Sequence, residues 1–144
     1  MNSLRFRMEY EEDGTGELFL AVEFQGFSGA SSCYVDLMSL LEAAKRFALY
    51  PIPADQSVQI EGGYFAQDMK GLAQTHLHVS AFPADSLGNV GLRVSLAVPY
   101  DEGISAYKAL LACELSVSYE QLKDLSQGLV ALAERNSDEY SLSL

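Results

Sequence analysis

The stretch Val90–Val98 limits what this chain can fold into more than any other. Val90, Leu92, Val94, Leu96 and Val98 alternate with Gly91, Arg93, Ser95 and Ala97. A period of two with one apolar and one mixed face marks a half-buried β-strand. Gly88-Asn89 before it and Pro99 after it punctuate both ends. Arg93 in mid-strand argues against a parallel sheet covered on both faces, so an antiparallel sheet covered on one side is expected.

The same period recurs elsewhere. Leu4–Tyr10 places Leu4, Phe6, Met8 and Tyr10 opposite Arg5, Arg7 and Glu9, and Glu17–Phe24 places Leu18, Leu20, Val22 and Phe24 opposite Phe19, Ala21 and Glu23. Asp13-Gly14 between them supplies the positive φ of a hairpin turn. Ser57–Glu61, Thr75–Phe82 and Ser105–Val117 read as three further strands, and Thr75–Phe82 should pair with Val90–Val98 through the turn at Pro83–Asn89. Tyr100–Gly103 reads as another turn, and alanine and leucine leave helix as the competitor over Tyr107–Glu114. Gly26–Ser32 reads as small and flexible, leading through a short strand at Cys33–Val35. Tyr64–Gln74 has no clear period and reads as a loop with a short helical turn.

Two helices complete the pattern. Asp36 is a good N-cap, and Leu37, Leu40, Leu41, Ala44, Phe47 and Ala48 form one apolar stripe that Tyr50-Pro51-Ile52-Pro53 ends. Ser118-Tyr119-Glu120-Gln121 has the form of a capping box, followed by the stripe Leu122, Leu125, Leu129 and Leu132, with Asn136 at the end. The order predicts an α+β two-layer domain over residues 1–136: one twisted, mainly antiparallel sheet of about six strands with two amphipathic helices on one face. Residues 137–144 read as a frayed C-terminal tail.

The chain has 144 residues, enough for one full core. A formal net charge of -11 argues against free nucleic acid and against an anionic membrane surface, and would steer in a basic partner. Met1–Tyr10 carries Arg5, Arg7 and Glu9 and does not read as a signal peptide, and no run is apolar enough to span a membrane, so the cytoplasm is expected. Cys33 and Cys113 each sit in an apolar stretch and read as buried free thiols.

Catalytic patterns are sparse. His76-x-His78 puts two imidazoles on one strand face, but a zinc site wants a further ligand, and Glu23, Glu114 or Glu9 would have to supply it. Gly26-Phe27-Ser28-Gly29 is not a nucleophile elbow, Cys33 has no catalytic signature, and no phosphate-binding glycine loop occurs. No catalytic residue, metal ligand or cofactor is assigned. What remains is the polar side of the sheet. Such faces are often merely solvated, yet this one mixes charge with an aromatic, as recognition surfaces do. Arg5, Arg7, Phe19, Glu23, His76, His78, Arg93 and Glu114 are the candidate partner-binding residues.

The combination of an N-terminal hairpin, the approach from Gly26-Phe27-Ser28-Gly29 to Cys33-Tyr34-Val35, the helix Asp36–Leu49, the strand Val58–Gly63 and the hairpin with Gly88-Asn89 before Val90–Val98 resembles a family of small bacterial proteins related to the immunity proteins of wall-associated, contact-dependent toxins. That resemblance implies a non-enzymatic inhibitor that binds and neutralises a toxin domain, and it carries no catalytic set; the acidic charge of the chain agrees with a basic toxin. The alternative is a protein or enzyme that binds a small ligand or metal in a pocket near His76 and His78.

Overall fold

The computed structural model describes residues 2–65, 68, 70–99 and 107–144. In chain order its elements are β1 (Ser3–Tyr10), β2 (Thr15–Phe24), β3 (Phe27–Asp36), α1 (Leu37–Arg46), β4 (Val58–Phe65), β5 (Leu72–Pro83), β6 (Val90–Pro99), β7 (Tyr107–Val117), α2 (Tyr119–Ala133) and β8 (Glu139–Ser143). The fold is α+β, but the expected single sheet of about six strands is instead two antiparallel sheets of four, ordered β3-β2-β1-β8 and β4-β5-β6-β7. Both anticipated hairpins form: β1 pairs with β2, and β5 with β6. Tyr107–Glu114, where helix competed, is strand. The expected turn at Tyr100–Gly103 and the start of the last long strand at Ser105 lie outside the described residues.

One strand explains why there are two sheets. The stretch Gly26–Ser32, expected to be flexible, is mostly β3, which continues unbroken to the N-cap Asp36. The registers of the second sheet align Gly62, Leu77, Leu96 and Leu111 in one row at right angles to its strands. Strand β3 lies along that row. A Cβ added at Gly62 would come 2.5 Å from Cys33 Sγ, and one added at Gly29 would come 3.2 Å from Leu111 Cδ1. Between them, Ser31 Oγ donates to the Ala97 carbonyl at 2.7 Å. From Cys33 to Gly29 the strand advances about 13 Å, and β4 to β7 covers three inter-strand gaps, about 14 Å. The crossing is therefore nearly square, as in orthogonal sheet packing. Small side chains at Gly29, Ser31 and Cys33 are what allow two backbones to approach this closely.

The inner faces of both sheets and the stripes of both helices join in one core. It contains Leu4, Phe6, Leu18 and Leu20 of the first sheet, Val58, Leu77, Leu92 and Leu115 of the second, and Leu40, Phe47, Leu122, Leu125, Leu129 and Leu132 from α1, α2 and the turn after α1. The helices pack on each other, with α1 beside β4 and α2 beside β8, rather than lying side by side on one six-stranded layer. Both N-caps form as expected: Ser39 N–H donates to Asp36 Oδ2 at 2.9 Å, and Ser118 and Gln121 make the reciprocal capping box.

The segment read as a frayed tail is ordered. β8 pairs with β1 from Arg7↔Glu139 to Ser3↔Ser143, and Leu142 is buried. Tyr140 lies over Gly128 of α2, where any Cβ would collide with its ring, and its hydroxyl donates to Asp124 at 2.9 Å. The expected loop Tyr64–Gln74 is also shorter than its lack of period suggested. β4 runs to Phe65 and β5 starts at Leu72, with register shifts at Gly62/Gly63 and Tyr64/Phe65 that break the alternation.

Candidate partner-binding faces

Each sheet buries one face, and alternation sends the intervening side chains to the other. Because the two inner faces meet at the β3 crossing, the two outer faces point to opposite sides of the molecule. The eight candidate residues are consequently not one surface. Arg5, Arg7, Phe19 and Glu23 belong to the first sheet, and His76, His78, Arg93 and Glu114 to the second.

On the first sheet, register sets the candidates in rows. Glu139, Arg7, Phe19 and Ser32 stand in line across β8, β1, β2 and β3. The next row is Ser141, Arg5, Ala21 and Ala30, and beyond it lie Ser143, Ser3, Glu23 and Ser28. Small side chains at Ala21, Ala30, Ser32 and Ser141 leave a hollow of about 530 Å³ bordered by Arg5, Arg7, Phe19 and Glu139. The Arg7 guanidinium lies 4.0 Å from the centre of the Phe19 ring and donates to Glu9 Oε1 at 2.7 Å. Ser32 Oγ donates to Glu17 Oε2 at 2.7 Å. Two guanidiniums and an aromatic ring thus edge a shallow basin, inside a rim of Glu9, Glu17, Glu23 and Glu139.

That rim continues into the β1–β2 turn, where Glu11, Glu12 and Asp13 are exposed. Glu9 stands directly opposite Glu17, and Tyr34 opposite Glu17 on the other side. The Glu17 carboxylate raises the Tyr34 phenol above its ordinary value. This end of the sheet is strongly negative.

The outer face of the second sheet is quieter. Arg93 and Glu114 stand opposite each other on β6 and β7, and the Arg93 Nη2 donates to Glu114 Oε1 at 2.9 Å. The Phe82 ring lies 4.5 Å from the Arg93 guanidinium and covers Gly91. His78 Nδ1 sits 3.3 Å from Glu61 Oε2 across the β4–β5 pair. These contacts are satisfied within the face itself.

Among the described residues the two histidines have no third metal ligand beside them. His76 is buried at the β4–β5 irregularity, edge-on to Tyr64, with Nε2 3.0 Å from Gln74 Oε1. Burial pushes its pKa below the usual imidazole value. Among the described residues no group of three or more His, Cys, Asp or Glu is placed to hold a metal ion. Cys33 is no better suited to nucleophilic work: burial, with Glu17 nearby, pushes its thiol up to about 12. A nucleophilic cysteine needs the opposite environment.

Sequence reasoning missed Ser32, Ala30, Tyr34, Glu139 and Ser141, because β3 and β8 were not recognised as full strands. The signal was present: Gly29, Ser31, Cys33 and Val35 alternate with Ala30, Ser32 and Tyr34, and Tyr140, Leu142 and Leu144 alternate with Ser141 and Ser143. No helix among the described residues is long and apolar enough to cross a membrane. No protein-family model, curated protein or solved structure matches this chain.

Proposed function

We propose that this chain is a non-enzymatic binding protein, an immunity-type inhibitor that captures a basic toxin domain on the outer face of β3-β2-β1-β8. One observation carries the reading: the hollow floored by Ala21, Ala30, Ser32 and Ser141 and edged by Arg5, Arg7 and Phe19. Such a basin accepts a protruding side chain, and arginine and aromatic residues at its edge are the types that dominate interface energetics. The acidic rim and the Glu11-Glu12-Asp13 tip add long-range attraction for a basic partner, which mainly raises the association rate. His78, Arg93 and Glu114 face the other way and are left out of this surface.

The test is calorimetry against the protein encoded by the neighbouring reading frame. Binding is expected, weakened about 30-fold or more by Arg7→Glu or Phe19→Ala, as hot-spot losses of about 2 kcal/mol imply. Arg93→Glu should leave affinity unchanged. Equal loss from all three variants, or binding indifferent to Arg7 and Phe19, would overturn the assignment of the face.

A further inference from the structure

Strand β7 ends the second sheet, with β6 on one side and no strand among the described residues on the other. Half of its backbone N–H and C=O groups therefore point outward from the ladder. Natural sheets protect such edges with charge, proline, bulges, short length or a covering element. The other edges of this molecule follow the rule: β4 is interrupted by two register shifts and flanked by α1, β8 has five residues, and β3 is packed across the second sheet. β7 has eleven residues with one register shift at its start, opposite Val98/Pro99; from Ala109 to Cys113 it is regular and uncharged, with Leu110 62 % exposed.

A second feature lies at the same place. β3 crosses the sheet towards Leu111, and its continuation carries Phe27, 69 % exposed, past the β7 edge. The overhang and the edge enclose a mostly apolar groove of about 370 Å³, bordered by Phe27, Gly29, Val98, Ala109, Leu111 and Ala112.

We propose that this edge and groove capture one extended peptide segment of a partner protein by strand addition along Ala109–Cys113. An extended backbone can pair in register with the outward groups of an open ladder, and the groove gives an apolar side chain a seat beneath Phe27. The overhang decides between occupants. A second copy pairing β7 with β7 about Leu111 would bring its own β3, which crosses over its own Leu111, into the space Phe27 already occupies. A single segment carries no such second layer and fits. With a chain charge of -11, the segment is neutral or basic, with apolar residues at alternate positions. This site shares Ala30 of β3 with the basin of the first sheet but opens at the β7 edge, and it does not depend on the function proposed for the basin.

The probe is a fluorescein-labelled peptide of alternating valine and threonine flanked by lysine, followed by anisotropy with the full chain. Two versions carry N-methyl groups on alternate residues, in opposite phase. Saturable binding is expected, lost in one phase and kept in the other, with slowed amide exchange in Ala109–Cys113 and affinity about tenfold weaker in Phe27→Ala. Absence of saturable binding, equal binding of both methylated peptides, or protection elsewhere would overturn the proposal. Sedimentation velocity closes the alternative: a dimer that Leu110→Lys dissolves would assign the edge to a second copy and refute the single-segment occupant.

Discussion

Gly62 and Cys33 are one place where the two sheets come close together, and the contact can be tested directly. A methyl group at Gly62 would lie 2.5 Å from Cys33 Sγ and 2.7 Å from Cys33 Cβ. Neither atom can swing clear: Cys33 is buried, and its Cβ is fixed by the β3 backbone. Overpacking of this kind costs about 1–3 kcal/mol. Alanine recovers about 0.5–1 kcal/mol over glycine in a strand. The net expectation for Gly62→Ala is a loss of about 1–2 kcal/mol, or about 2–8 °C in Tm at this chain length. Urea unfolding and calorimetry would measure it. The sharper result comes from the exchange. Cys33→Gly removes both clashing atoms, so Gly62→Ala with Cys33→Gly should be more stable than the sum of the single losses by about 1 kcal/mol or more. A Gly62→Ala protein as stable as the parent, or additive variants, would refute the crossing geometry.

Three further outcomes follow from the packing and the titrating groups. Cys33 titrates at about 12 in the folded chain against an ordinary value of 9.0, so its contribution to stability is complete below 9 and is lost as pH rises towards 12; urea midpoints should fall over that window, less steeply in Cys33→Ala, and a disulfide reagent at mild alkaline pH should reach Cys113 well before Cys33. His76 is depressed below 6.5 by burial, so its contribution is complete above 6.5 and is lost as pH falls through the lower folded value; midpoints should drop on acidification, and His76→Gln should flatten that part of the profile. Gly128→Ala gains about 1 kcal/mol of helix propensity but displaces the Tyr140 ring; the expected result is faster amide exchange in Glu139–Ser143, and in a Tyr140→Ala background the same substitution should become stabilising.

Much of the candidate site could be read before the fold was known, residue by residue but not as a surface. Alternation placed Arg5, Arg7, Phe19 and Glu23 on the polar side of β1 and β2, where they are. The same logic placed Arg93 and Glu114 on the polar side of β6 and β7, also correctly, and then wrongly merged the two sides. Period-two patterning reports that a strand has a wet and a dry face. It does not report whose dry face it meets. The basin itself needs β3 and β8, and their small or scattered residues read as linker and tail.

What the sequence determines by itself is local: the strand faces, the two helix stripes, the caps at Asp36 and Ser118, and the hairpins with their turns. All of these depend on residues within a few positions of one another. Tertiary structure alone decided that β3 crosses the second sheet, that β8 returns to pair with β1, and that polar strand faces point to opposite sides. These rest on contacts between residues far apart in the chain, such as Cys33 with Gly62, Gly29 with Leu111, and Arg7 with Glu139. A close crossing demands small residues, and local propensity reads the same residues as loop. Long-range fit overrode that propensity, because burying the inner face of β3 is possible only where the opposing sheet lets its backbone come near.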